Sequence, residues 1–135
     1  MQYRIPKDQR ARSFLPKVWS IRRRTFLYRL AGLTRLYETK DLTKAELARR
    51  SGISEVYLHQ VFAGRRNPSR DRLLCICVGL GITLDETQRM LTQGGYAQLY
   101  PRTRRDAIIS YGVVHQLPLG EINDKLFAEQ EKTLF

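Results

Sequence analysis

The stretch "LTKAELARRSGISEVYLHQVFAGRRNPS", residues 42–69, predicts two short helices separated by a tight turn. Thr43 followed by Glu46 matches a capping box, in which each side chain pairs with a free backbone N–H at a helix start. Gly52 can take the left-handed conformation that ends a helix. Ser54 then opens the second helix as an N-cap. The two helices are therefore expected to flank a turn of about three residues, as in a helical hairpin motif.

The second helix is expected to run from Glu55 to about Ala63, with Gly64 ending it. At the helical repeat of about 3.6 residues, its apolar side chains cluster on one side. These inward residues are Leu58, Val61 and Phe62. The opposite side carries Val56, Gln60 and Ala63, flanked by Glu55, Tyr57 and His59. Two such helices around a short turn are typical of a helix-turn-helix, whose second helix presents its outward face to a partner.

Helical patterns also surround this central stretch. From Thr25 apolar residues recur at spacings of three and four, at positions 26, 27, 30, 33, 36 and 37. Ser69 is the expected N-cap of a third helix, and Thr83 with Glu86 forms another capping-box pattern. No segment has the alternating pattern of a strand, so the predicted fold class is all-α.

An internal repeat occupies the C-terminal half of the chain. Residues 70–100 align with residues 105–135 at an offset of 35. The identical pairs are Arg70/Arg105, Asp71/Asp106, Val78/Val113, Leu84/Leu119, Glu86/Glu121, Leu91/Leu126 and Leu99/Leu134. Each unit is expected to form a helix, a short turn and a second helix. Two stacked helical hairpins would share one apolar core.

The charge of the chain is strongly positive and unevenly distributed. The formal net charge is +11, from 24 Lys and Arg against 13 Asp and Glu, and 42% of residues are hydrophobic, which argues against wholesale disorder. Residues 1–35 hold ten Lys and Arg against the single Asp8. We therefore interpret residues 1–25 as a basic N-terminal arm. A polyanion is the expected partner, with nucleic acid favoured over an anionic membrane.

Catalytic and metal-binding patterns are missing from the sequence. It contains no nucleophile elbow, phosphate-binding glycine loop or HExxH, and His59 and His115 are solitary. Cys75 and Cys77 lie two residues apart in an apolar run and are expected to be buried thiols in a reducing cytoplasm. The longest apolar run, residues 73–82, is too short to span a bilayer. We expect no enzyme activity, no cofactor, no metal, no membrane partner and a cytoplasmic location.

The capped helices, the "SGIS" turn, the "GRRNPS" exit and the later "GITLDE" together resemble the lambda repressor/Cro-type (XRE-like) helix-turn-helix family. The resemblance covers roughly residues 26–92 and implies a five-helix bundle of bacterial or phage origin. The basic arm at 1–25 precedes this bundle. A C-terminal helical hairpin extension at 93–135, the internal repeat of 70–100, follows it.

The resemblance also implies which residues meet DNA. The base-reading set lies on helix 55–63, which would enter the major groove, and comprises Glu55, Val56, Tyr57, His59 and Gln60. The backbone-contacting set comprises Lys44, Ser54, Arg65, Arg66, Asn67 and, just before the first helix, Arg22, Arg23 and Arg24. Gln60 can grip adenine through two hydrogen bonds, Val56 can touch a thymine methyl, and Glu55 can accept from cytosine.

Three functions remain open, of which the third is nonspecific membrane or RNA binding by the basic arm alone. The first is a sequence-specific regulator of transcription that binds double-stranded DNA as a homodimer. The second is a protein-interaction adaptor or antitoxin-like module that keeps the helix-turn-helix fold and binds a protein partner through the C-terminal extension. DNA binding that weakens with salt would distinguish the first from the second.

Overall fold

The computed structural model describes residues 31–135, in which seven α-helices and no strand are found. This confirms the all-α prediction. The basic arm, Arg22, Arg23, Arg24 and the predicted start of the first helix lie outside the described residues. The helices are α1 (Ala31–Glu38), α2 (Lys44–Ser51), α3 (Glu55–Phe62), α4 (Arg70–Leu80), α5 (Leu84–Gln93), α6 (Arg104–Val114) and α7 (Leu119–Ala128).

Local side-chain bonds fix where most of these helices begin. The hydroxyl oxygens of Thr43, Ser54, Ser69 and Thr83 each accept a bond from the backbone N–H three residues later. At Thr83 the full capping box is formed, because Glu86 Oε1 also accepts from the Thr83 N–H at 2.9 Å. That backbone bond lowers the pKa of Glu86. Each predicted N-cap therefore satisfies a backbone donor that the helix itself leaves unpaired.

Glycines in the left-handed conformation follow four of the described helices, α2 to α5. Gly52 has φ of 63° after α2, and Gly81 has φ of 66° after α4. The N–H of Ile53 donates to Ala48 O at 3.1 Å, which closes the end of α2 and turns the chain directly into α3. The helix-turn-helix geometry thus follows from bonds within a few residues of the turn.

Helix α4 is the centre of the core. It packs on α2, α5 and α7, and its consecutive residues 73–77 are almost completely buried. Cys75 and Cys77 point to different sides of the helix, yet each is 1% exposed because neighbours cover α4 on all sides. Both are free thiols, and burial raises the pKa of each to about 12. The expected buried thiols are confirmed.

Helices α4–α5 and α6–α7 form two hairpins whose internal bonds correspond. The Gln88 side chain donates to Leu99 O at 3.0 Å and accepts from Leu99 N–H at 2.7 Å. Asn123, 35 residues after Gln88, accepts from Leu134 N–H at 2.8 Å. In both hairpins the bond from a leucine N–H to a side-chain amide oxygen holds the segment after the second helix against that helix.

The first two residues of each repeat connect the hairpins to each other. Arg70 Nη2 lies 3.1 Å from Asp106 Oδ2, and Arg105 Nη2 lies 3.1 Å from Asp71 Oδ2. Each arginine also donates to two backbone carbonyls near the end of its own repeat, at residues 97 and 98 or 132 and 133. The exchange of partners is reciprocal, so the two hairpins meet like the halves of a pseudo-two-fold dimer.

The end of the second hairpin also reaches the helix-turn-helix. Gly52 and Ile53 of the turn line the same hollow as Leu134 and Phe135. Cys75 Sγ donates to Leu134 O at 3.6 Å. The C-terminal extension therefore supports the turn that orients α3.

Candidate nucleic-acid interface

Helix α3 is held to the body by its predicted inward face. Leu58 and Val61 have no exposed surface, and Phe62 is half-buried with its ring centroid 5.2 Å from that of Tyr37. On the outward face Val56 is 69% exposed. A thymine methyl is a partner that such a residue can contact from the major groove.

Glu55 and His59 lie on the same outward face, one helical turn apart. Glu55 Oε1 is 3.6 Å from His59 Nε2, and both side chains are more than half exposed. Neighbours at this spacing in open solvent interact weakly, so both groups are available to a ligand. Ser54 is different, because its hydroxyl accepts from the Tyr57 N–H at 3.1 Å as the cap of α3. Its oxygen is thus engaged within the protein.

The exit from α3 brings two arginines beside the helix. Gly64 has φ of 75°, and the Arg65 N–H donates to Gln60 O at 2.9 Å. The chain reverses there, so that Arg66 Nε donates to the side-chain Oε1 of Gln60 at 2.9 Å. Arg65, Arg66 and Asn67 are exposed, whereas Gln60 is half-buried. This exit therefore places positive charge next to the outward face.

Two guanidinium groups lie against the Tyr57 ring. Arg66 Cζ is 5.2 Å from the centroid of the Tyr57 ring, and Arg72 Cζ is 4.6 Å from it. The half-buried ring orients both arginines through cation–π contacts. Tyr57 thus lies beside the outward face with two arginines against its ring, and its assignment to base reading stays a prediction.

Arg72 is a further candidate site residue, which was not among the residues predicted from the sequence. It lies in the first turn of α4, and the side chain is exposed. A basic residue in the first turn opposes the helix dipole, so its position was a signal that the residue serves another purpose. The sequence could not show that Arg72 lies beside Tyr57, which is fifteen residues earlier in the chain.

Lys44 occupies the start of α2, as predicted, and is half-buried. Its Nζ lies 5.1 Å from the Tyr37 ring centroid and 5.0 Å from the Phe62 ring centroid. The aromatic pair holds the ammonium group near the N-terminal end of α2, where backbone N–H groups also favour an anion. Such an arrangement can bind a phosphate.

The remaining chemistry of the described part of the chain is limited. Within residues 31–135 no group of three or more His, Cys, Asp or Glu side chains is placed to hold a metal ion. In the same range no helix combines the length and apolar character needed to cross a membrane. The features that distinguish the surface around α3 are therefore its exposed outward face and the adjacent cations.

Comparison with known proteins agrees with this geometry. A family model described as a helix-turn-helix domain matches residues 22–90, which include α1 to α4 and most of α5. No curated protein matches the chain significantly, and no solved structure does so either. The matched range starts at Arg22, so it includes the three arginines that lie outside the described residues.

Proposed function

Because the chain belongs to the helix-turn-helix domain family, we propose that it is a sequence-specific regulator of transcription that reads the major groove with α3. Membership of this family points to DNA binding. The proposal goes further and assigns sequence-specific regulation, without catalysis, to a cytoplasmic protein that is bacterial or phage-encoded. The division into an arm at 1–25, a DNA-binding unit at 26–92 and an extension at 93–135 belongs to the same proposal.

The observation that carries the proposal is the surface of α3. Leu58 and Val61 on its inward side are completely buried and hold the helix against the body. Val56, Glu55 and His59 project outward. Arg65 and Arg66 follow immediately and are exposed. A rigid helix with an open face and flanking cations suits a groove between two phosphate backbones.

Gel-shift titrations with a selected duplex and a random duplex, each over a range of salt concentrations, test the proposal. We expect tighter binding to the selected duplex, and a fall in log K with log salt of about 0.9 for each phosphate contacted. A protein that binds both duplexes equally at every salt concentration would not be a sequence-specific regulator. A protein that binds neither would contradict DNA binding itself.

We infer further that the regulator works as a homodimer, since operator half-sites one helical turn apart generally require a two-fold pair. The C-terminal extension offers an exposed surface at which two copies could contact each other. Tyr111 and Val114 lie at neighbouring positions on α6 and are 50% and 57% exposed. Sedimentation of the wild type and of Tyr111→Lys tests this, because a charge in the interface should shift a dimer toward monomer. An unaltered dimer would exclude this surface.

The same exposed pair supports the second candidate, a protein-interaction adaptor or antitoxin-like module. In that case Tyr111 and Val114 would contact a different protein. A chain that is monomeric and binds no duplex at low salt would favour this alternative. A salt-dependent, sequence-selective complex with DNA would favour the regulator.

A further inference from the structure

We infer that Gln60 and Arg66 act as one hydrogen-bonding unit that recognises guanine, and not adenine, in the major groove. This inference rests on the proposed function, because it concerns which base the outward face of α3 reads. It differs from the expectation for an isolated glutamine, which can grip adenine through its carbonyl and amide groups. The difference arises from a single bond between the two side chains.

That bond engages the acceptor of the glutamine. Arg66 Nε donates to Gln60 Oε1 at 2.9 Å, and a donor that carries a positive charge makes a strong hydrogen bond. The bond occupies one of the two lone pairs of Gln60 Oε1 and leaves the NH₂ of Gln60 and the two terminal nitrogens of Arg66 free to donate. The joined side chains therefore present donors along the edge that DNA would meet.

Three features of the backbone and side chains hold the unit in place. Gly64 and the bond from Arg65 N–H to Gln60 O reverse the chain after α3. The Tyr57 ring then supports the Arg66 guanidinium group at 5.2 Å. Because Arg66 is held by both Gln60 and Tyr57, it loses less side-chain entropy when it binds a base. Tyr57 is a positioning residue in this arrangement.

A unit in which donors predominate distinguishes the two purines. In the major groove guanine presents two acceptors, N7 and O6, which match the donors of Gln60 and Arg66. Adenine presents the acceptor N7 beside the donor N6–H₂. The adenine N6–H₂ would have to share Gln60 Oε1 with Arg66 or face arginine N–H groups, so adenine is disfavoured. The same geometry assigns Arg66 to a base edge, whereas Arg65 remains available to phosphate.

The first experiment examines the bond in the free protein. NMR spectra of the Arg66 Nε–H group are compared between wild type and Gln60→Ala. We expect a distinct Nε–H resonance with slowed solvent exchange in the wild type, and faster exchange in the variant. Equal exchange rates in the two proteins would show that the bond is not formed and would overturn the inference.

The second experiment measures base preference. A site is selected from random duplexes with the wild type, and the position contacted by residue 60 is identified as the one whose preference changes in Gln60→Ala. At that position, replacement of guanine by adenine should weaken wild-type binding roughly 10-fold or more. Gln60→Ala, Arg66→Ala and the double variant should all lose this discrimination to about the same extent, because either substitution breaks the unit.

Arg65→Ala is the matched control, since it removes a neighbouring exposed arginine but keeps the Gln60–Arg66 bond. It should weaken binding to all duplexes and retain the guanine preference. Selection of adenine at this position, or an Arg66→Ala variant that weakens all sequences equally, would overturn the inference while leaving the regulator intact. Failure to select any site would overturn the proposed function, and the inference with it.

Discussion

Gly79 on α4 lies directly against Ser51 at the end of α2, and the Ser51 hydroxyl fills the space that a methyl group at residue 79 would need. Ser51 Oγ is fully buried and has no hydrogen-bond partner among the described residues. The pair sets how closely α2 approaches α4. Because α2 also packs on α3, the contact between Gly79 and Ser51 influences the placement of α3, the proposed DNA-reading helix.

Substitution of Gly79 by Ala should therefore lower the free energy of unfolding by about 1–3 kcal/mol, because the added methyl group overpacks the contact between α2 and α4. Ser51→Ala alone should change stability by less than about 1 kcal/mol, since the buried hydroxyl that it removes is unpaired. In the double variant Ser51→Ala should recover part of the loss. Urea unfolding of the four proteins measures these differences.

Gly120→Ala provides the matched control for that series, because nothing lies within 4 Å of a Cβ at residue 120. Gly120 is an exposed residue of α7, so the substitution should raise stability by roughly 0.5–1 kcal/mol. A Gly79→Ala variant as stable as Gly120→Ala would show that the close approach of α2 and α4 is not required.

Arg105→Ala should destabilise the junction between the two hairpins. The Arg105 guanidinium group donates to both carboxylate oxygens of Asp71, at 3.2 and 3.1 Å, and to the backbone oxygens of Lys132 and Thr133. We expect a loss of roughly 1–3 kcal/mol in unfolding free energy, since several partly buried groups lose their partner. Arg105→Lys should recover little, because lysine lacks the planar fork.

Lys132→Ala is the control for that substitution. The Lys132 side chain is 82% exposed and its Nζ lies 3.9 Å from the same carboxylate of Asp71. An exposed pair of this kind contributes little, so the change should stay within about 0.5 kcal/mol. Equal losses for Arg105→Ala and Lys132→Ala in urea unfolding would contradict the structural role assigned to Arg105.

The two cysteines should react slowly with thiol reagents in the folded protein. Burial raises the pKa of Cys75 and of Cys77 to about 12, so almost no thiolate is present at pH 8. In the unfolded chain both pKa values return toward 9 and ionisation favours that state. Stability should therefore fall as pH rises from about 9 to about 12.

Reaction with a colorimetric disulfide reagent, with and without urea, checks that prediction. Both thiols should become reactive over the same range of urea concentrations in which circular dichroism shows unfolding. A cysteine that reacts at the free-thiol rate in the native protein would show that α4 is more accessible than its 1% exposed cysteines indicate.

Arg65→Ala should weaken binding to specific and random duplexes by a similar factor. An arginine that contacts phosphate contributes affinity without sequence information, and its loss should reduce the slope of log K against log salt by about 0.9. Arg102→Ala is a suitable control, because this arginine is exposed in the segment between α5 and α6 and belongs neither to the surface around α3 nor to the Tyr111 and Val114 surface. Fluorescence anisotropy over a salt series would detect the difference, and equal slopes for both variants would exclude a phosphate contact by Arg65.

The basic arm is predicted to add several phosphate contacts. Deletion of residues 1–20 together with neutralisation of Arg22, Arg23 and Arg24 should lower the salt slope by roughly 3 if three or four arm residues bind DNA. Affinity for random duplexes should decrease in parallel, while the base preference of α3 persists. An unchanged slope would mean that the arm does not touch DNA.

The sequence predicted the fold to the extent that local interactions specify it. Thr43, Ser54, Ser69 and Thr83 identified helix starts because a cap and its backbone donor lie three residues apart. Gly52 identified the turn because few other residues adopt positive φ without strain. At Thr43 the structure has one of the two bonds of the predicted capping box, the one from Glu46 N–H.

The site was predictable only in part. Helical periodicity correctly separated Leu58 and Val61, which are buried, from Val56, which is exposed. Helical periodicity does not predict the hydrogen-bond partners of the polar side chains. A side chain such as Gln60 has several rotamers, and its partner depends on the path of the chain after the helix. Whether these residues contact DNA as assigned remains a prediction.

The sequence by itself determined the helices, their ends and the 35-residue repeat, because these depend on neighbouring residues or on direct comparison of two segments. Only the tertiary structure decided that Arg70 pairs with Asp106 while Arg105 pairs with Asp71, that Arg72 reaches Tyr57, and that Arg66 binds Gln60. The physical reason is that a charged side chain can form an ion pair, a hydrogen bond or a cation–π contact with any suitable partner within reach. Which partner comes within reach is set by how the buried apolar faces pack, and packing joins residues that are distant along the chain.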